Sequence, residues 1–445
     1  MSDFTFTIKL KQHTPLIHFQ HDQEGATLRA SEVKPKLDRF ILKWLSDHAS
    51  DDENKNVQTA IKEKKDFEKM DAYEKGKIIA KRKGWLKGKG EHPALDYRMK
   101  FIISETPAIF NNNEVQKDRQ GNAQTAIRKD GRTIKKLKPY PLFFANLNAD
   151  IDDPSEYKCF SMLNKPFKME LFSLNNDLIK YIGEDNKNLW PLFFQYTNFG
   201  TRQSKGFGSF YIDEDDVFFS DIEELRYRFS VDIRSDNKKW IDLFDSIDLF
   251  YKSLRSGINI CWGDKFYMKP AIFQYAKSKG YDWDKKLIKQ YFFDGGKPDN
   301  SSKFLFKDLL GLSSEENWMS YSTSISKVFS EKDNSNESVI RRFQSPIIIK
   351  PVLREGYFDV FIDSYPDSNS NKTLKNSFCN KIFHIESKKH KEKKLPLKTF
   401  PDFDIDDFLE FALLKNDIKN LTSDIYHECF YKLTSIYNEI KREHE

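Results

Sequence analysis

The stretch Asn198-Phe199-Gly200-Thr201-Arg202-Gln203-Ser204-Lys205-Gly206-Phe207-Gly208-Ser209-Phe210-Tyr211 sets glycines and cations among aromatic rings and runs into an apparent strand. Glycine lacks a Cβ and permits positive φ, so amides in such a loop are able to turn toward an anion. Arg202 and Lys205 add charge there, and Phe207 adds a ring on which a base could stack. A helix-ending glycine before a tight turn explains Gly200 alone but not the rest. Upstream, Leu189, Leu192, Phe193 and Tyr196 recur at helical spacing, so a helix is expected to stop at Gly200 and a strand to cover 208–212.

Working outward, Phe4, Phe6, Ile8 and Leu10 alternate with polar residues, the period of a half-buried strand. A helix is expected from Pro35, with Leu37, Phe40, Ile41, Trp44 and Leu45 on one face and Lys36, Arg39 and Lys43 on the other. Tyr97, Met99, Phe101 and Ile103 alternate as a second strand, and Phe167, Met169 and Leu171 as a third. The resulting order, β-α-β-β-α-β, is the ferredoxin-like arrangement of α+β domains, which RNA-recognition modules also use. Lys34-Pro35 and Lys269-Pro270 open similar apolar-aromatic patterns, which suggests a duplication. The expected plan is therefore tandem ferredoxin-like domains at 1–215 and 216–400, the first with an insertion at about 50–140, followed by C-terminal helices at 401–445. Phe408, Leu409, Phe411, Ala412, Leu413, Leu433 and Ile436 supply the apolar face of those helices.

The formal net charge of the 445 residues is only +5, but cations outnumber acids about two to one from Lys55 to Lys138. A solvated face is the default reading of such runs, and a nucleic-acid partner competes with it, gaining weight because glycine and aromatic residues are interleaved with the charge. The arm at 111–138, with Gly121 and Gly131, is expected to be mobile, and either to contact RNA or to be simply disordered. Cys159, Cys261, Cys379 and Cys429 have neither zinc spacing nor a disulfide framework. No apolar run approaches the roughly 18 residues of a membrane span, and the N-terminus reads as lacking a leader, so a cytoplasmic location is expected.

Thr14-Pro15-Leu16-Ile17, the segment Leu28-Arg29-Ala30-Ser31-Glu32-Val33-Lys34-Pro35-Lys36-Leu37-Asp38-Arg39, and the loop from Gly200 to Gly208 resemble the RAMP superfamily of CRISPR effector subunits. Within it, a long chain with two such domains is most similar to subunit one of the type III-B Cmr complex. The resemblance implies a non-catalytic antiviral subunit at the guide 3′ region, with guide RNA (crRNA), target RNA and other RAMP subunits as partners. It also implies RNA contacts by Gly200, Arg202, Ser204, Lys205, Gly206 and Gly208 in the loop, and by Arg29, Lys34, Lys36 and Arg39 at the helix opening. Lys34-Pro35-Lys36 departs from the small residues more usual there. In the second half the glycine-rich loop is missing, and Lys269 with the pair Arg341-Arg342, just before Ile347-Ile348-Ile349, is expected in its place.

His13, His18 and His21, with Asp22, raise the possibility of a histidine-dependent ribonuclease that processes guide precursors without a metal. Their spacing matches no hydrolase motif, and neither a Walker loop nor a GxSxG elbow occurs in the sequence. The expectation is a protein that is not an enzyme and uses no cofactor or metal. A protein-only scaffold is the remaining class.

Overall fold

A computed structural model of the chain describes residues 4–17, 27–50, 53, 55, 70–88, 93–110, 118, 120–127, 131–135, 160–234, 239–260, 264–296, 304–329, 331–333, 336–338, 340, 342–365 and 378–444. Two units emerge: Met1–Glu224 with Lys350–Leu353, and Leu225–Ile349 with Arg354–Glu445.

The first unit runs β1 (Thr5–Gln12), α1 (Ala30–Asp47), α2 (Ala72–Arg82), β2 (Arg98–Ile102), β3 (Phe167–Phe172), α3 (Asn176–Ile182), α4 (Leu189–Gln195) and β4 (Phe210–Ile212). Its four strands form one sheet in the order β4-β1-β3-β2, with every neighbouring pair antiparallel. Alternation in β1 and β3 sends Phe6, Ile8, Leu10, Phe167, Met169 and Leu171 into the core, where Leu37 and Ile41 of α1 and Trp190, Phe193 and Phe194 of α4 are also buried. Each such side chain contributes about 1.5–3 kcal/mol by leaving water. Phe6 stacks on Trp190 with ring centroids 4.9 Å apart.

Helix α1 begins at Ala30, so Pro35 lies inside it rather than at its first turn. A proline there leaves the Ser31 carbonyl without its helical donor. Both residues are exposed, and water is available to that carbonyl. Pro270, in contrast, precedes its helix as the N-cap, with φ −77° and ψ 153°. The two Lys-Pro pairs therefore do not occupy equivalent positions. Part of the basic stretch is also packed structure. Helix α2 is capped by the Asp71 side chain and lies against α1 so closely that a Cβ on Gly76 would stand 1.8 Å from the Leu42 carbonyl oxygen. Of the expected arm, Thr125–Ile127 and Thr133–Lys135 pair as antiparallel strands, while 111–117, 119, 128–130 and 136–138 lie outside the described residues.

The second unit runs β5 (Tyr227–Asp232), α5 (Lys239–Arg255), β6 (Ile258–Ile260), β7 (Phe266–Met268), α6 (Ala271–Ser278), α7 (Asp284–Phe292), β8 (Phe304–Leu305), β9 (Glu315–Trp318), β10 (Thr323–Val328), β11 (Ile347–Leu353, whose residues from Lys350 on are counted with the first unit), β12 (Tyr357–Ser364), β13 (Ile382–Ser387), β14 (Lys394–Thr399), α8 (Ile405–Glu410) and α9 (Glu428–His444). One sheet has the order β5-β12-β11 and another β8-β14-β13-β10-β9. Helix α9 stands at the edge of β5. The Ser230 amide donates to the Glu439 carboxylate at 3.0 Å, Arg228 pairs with Glu443, and Tyr227 stacks on His444.

A buried ionic cluster ties the second unit internally. Lys327 reaches Asp308 at 2.6 Å and Glu316 at 2.9 Å, and Lys307 reaches Glu316 at 2.8 Å. Burial opposes ionisation of Glu316, but the two lysines outweigh it and hold the carboxyl well below the usual range. Asp284 accepts from the Lys285 and Lys307 amides, and burial pushes its carboxyl up.

Candidate nucleic-acid interface

Helix α1 and the glycine-rich loop are bound to each other. Lys36 Nζ donates to the Asn198 carbonyl at 2.8 Å and to Gln203 Oε1 at 2.7 Å, and lies over the Phe199 ring. One turn earlier, the Glu32 carboxylate accepts from the Gly200 amide. Burial pushes the Lys36 ammonium down to about 8, although the Glu32 charge works in the opposite direction. Arg29, Glu32, Lys36, Arg39 and Lys43 follow one another at helical spacing, so the residues joined to the loop share a stripe with the remaining cations. Arg29 is the N-cap of α1, Lys43 is half-buried, and exposed Arg39 stands 5.5 Å from the Tyr73 ring of α2.

Lys34 belongs to the other side of the helix. Its ammonium is held by the Asp38 carboxylate at 2.9 Å and the Leu95 carbonyl at 2.9 Å, and lies 3.7 Å from the Tyr97 ring. Its charge is thus engaged inside the unit.

The loop's glycines answer to the protein's own backbone. At Gly200, with φ +78°, a Cβ would lie 2.5 Å from the Ile17 carbonyl oxygen. At Gly208, with φ +62°, it would lie 2.0 Å from that of Phe199. The amides of Phe199, Gly200, Thr201, Lys205, Gly206, Gly208 and Ser209 all donate within the unit. The expectation that these amides turn toward an anion is corrected accordingly. Phe207 is fully buried, as are Phe199 and Phe210, so its ring packs in the core instead of offering a stacking face. Ser204 lies in the single 3₁₀ turn Gln203–Lys205, bracketed by Arg202 with φ 55° and Gly206 with φ 80°. A left-handed arginine costs roughly 1–2 kcal/mol and persists only where its surroundings fix it. Side chains of Arg202, Ser204 and Lys205, all half-buried, are what the loop presents.

Three supporting residues were not among the expected RNA contacts. Thr14 Oγ1 donates to the Gly206 carbonyl at 2.7 Å and accepts from the Ser209 amide at 2.8 Å. Asn198 Nδ2 donates to the Gln203 carbonyl. Lys350, completely buried, donates to the Thr197 carbonyl at 3.0 Å, Asn198 Oδ1 at 3.2 Å and the Phe210 carbonyl at 2.8 Å. Burial, reinforced by the Lys36 charge, pushes its ammonium well below the ordinary range. A lone lysine closing the run Ile347-Ile348-Ile349 was the available signal, since such a cation needs a cage of acceptors.

In the second unit, Lys269 is exposed with its ammonium 5.0 Å from the Phe273 ring, and Arg342 is exposed. Arg341, His18, His21, Cys159 and Cys261 lie outside the described residues. His13 is buried and its Nδ1 accepts from the Leu353 amide at 3.0 Å. Among the described residues no group of three or more His, Cys, Asp or Glu is placed to hold a metal ion, and no helix is long and apolar enough to cross a membrane.

The family model of the Cmr1 N-terminal domain matches residues 3–258, and that of the Cmr1 C-terminal domain matches 267–441. No curated protein matches the chain. With both halves matched in order over nearly its whole length, the chain belongs to the Cmr1 family of RAMP proteins and is a subunit of the multi-subunit type III-B Cmr effector complex.

Proposed function

We propose that this subunit is a non-catalytic RNA-binding component of the complex, touching the guide 3′ region and target RNA. Its first unit would hold the RNA backbone along the α1 stripe and the adjoining loop. The observation that carries this reading is the junction made by Lys36 and Glu32, which fixes a loop bearing Arg202 and Lys205 beside a helix bearing Arg29, Arg39 and Lys43. Cations so arranged hold phosphates through charge and counterion release without reading sequence. The strand order of the first unit supports a ferredoxin-like domain. We read β5, β11 and β12 as a second such domain, with α9 standing where a fourth strand would pair. For a subunit without catalysis, the support is that His13 serves as a buried acceptor for a backbone amide.

The test is filter binding of single-stranded RNA across a salt series. Arg202→Glu with Lys205→Glu should cut affinity at least tenfold and reduce the slope of log K against log salt by about 1.4, the loss of two phosphate contacts. Unchanged affinity and slope would return the loop to a purely structural role. Incubation with a repeat RNA in EDTA tests the absence of catalysis: cleavage that disappears in His18→Ala would overturn it.

A further inference from the structure

We propose that the second unit carries a nucleotide subsite, a cleft between α6 and the helical turn after α8 that takes one unpaired base and its phosphate from a single strand. The cleft is an open, shallow groove of about 490 Å³ lined by Gln274, Lys277, Ser278, Phe411, Asn416 and Asn420. Phe411–Lys415 continues α8 as one π-helical turn, a widened geometry that is frequent at functional sites. At its end Asn416 is only 8 % exposed; its Nδ2, sealed from water, has no hydrogen-bond partner among the described residues, so the side chain serves as wall and not as a donor into the cleft.

The other walls suit the same ligand. Gln274 Nε2 donates to the Asn420 carbonyl at 3.0 Å, which fixes a second amide at the cleft. Phe411 packs edge-on against Tyr275, whose hydroxyl donates to Asp407 at 2.7 Å, so the ring is held in place. Lys277 is exposed at the rim, and Lys441 Nζ lies 3.5 Å from the Asn416 carbonyl. The nearby carboxylates Asp407 and Glu410 are paired with Lys279 and Lys415. Amides offering a donor and an acceptor match a base edge, a phenyl ring offers a stacking face, and lysine offers a phosphate contact. A free nucleotide presents the same chemistry. The inference rests on the RNA-binding reading and deepens it.

The full chain is cross-linked to a single-stranded RNA carrying 4-thiouridine, with adducts mapped by mass spectrometry. Adducts are expected in peptides spanning 271–278 or 411–420. They should fall at least fivefold in Phe411→Leu and also in Lys277→Glu, the latter at an exposed position that should leave Tm unchanged. Millimolar UMP should suppress them if the cleft also takes a free nucleotide, and leave them if it needs a strand. Adducts confined to the first unit would overturn this subsite while leaving the RNA-binding reading intact. A complete lack of adducts would sink both.

Discussion

A β-carbon on Gly208 would meet the Phe199 carbonyl oxygen at 2.0 Å, on backbone already at φ +62°. Gly208→Ala should therefore lose about 2–4 kcal/mol by chemical denaturation, the sum of crowding and left-handed strain. Lys36 gives a pH signature. Its pKa is lowered to about 8 from 10.5, so the folded state holds this proton less tightly than the unfolded chain does. The resulting penalty is fully present below pH 8 and relieved between about 8 and 10.5, so stability rises with pH there by at most about 3 kcal/mol. Comparing urea midpoints of wild type and Lys36→Met across that window should show a flatter rise in the variant. The loop's position was legible from residue types alone. Its internal use of amides was not, because glycine permits a close approach equally to a ligand and to the chain's own carbonyls. Lys34 and Lys36 likewise look alike in sequence, and only the partners Asp38 and Asn198 separate them.

Alternation made β1 and β3 readable to within a residue or two, because one face of each is buried and the other is not. Helix α2 was hidden by its charge, since its packing depends on the small Gly76 and not on a broad apolar stripe. Gly76→Ala tests this directly. Helix propensity favours alanine by about 1 kcal/mol, yet a Cβ 1.8 Å from the Leu42 oxygen forces the helices apart, so a net loss of roughly 2 kcal/mol is expected in thermal unfolding. At the edge of β5, removing residues 439–444 takes away Glu439, Glu443 and His444 together. An uncovered strand edge is a template for pairing, so the truncated chain should show self-association by light scattering at concentrations where the full chain does not.

Across the whole molecule, the first unit is not a continuous segment, because Lys350–Leu353 belongs to it. Besides the Lys350 bonds, Ser209 Oγ donates to the Pro351 carbonyl at 2.7 Å and the Leu353 amide donates to His13. A fragment of residues 1–224 should then exchange amide hydrogens around 199–210 far faster than the full chain does, as followed by mass spectrometry. Local periodicity has no means of announcing such a join, which is why a boundary near 215 looked natural from sequence alone. The join also imposes a schedule on synthesis. Roughly 130 residues separate the last of the main segment from the last of the four that complete it, so at ribosomal speed the caged-lysine corner waits roughly 6–26 s for its missing piece. During that interval the glycine-rich loop has its Lys36, Glu32 and Thr14 bonds but still lacks those of Lys350 and Pro351.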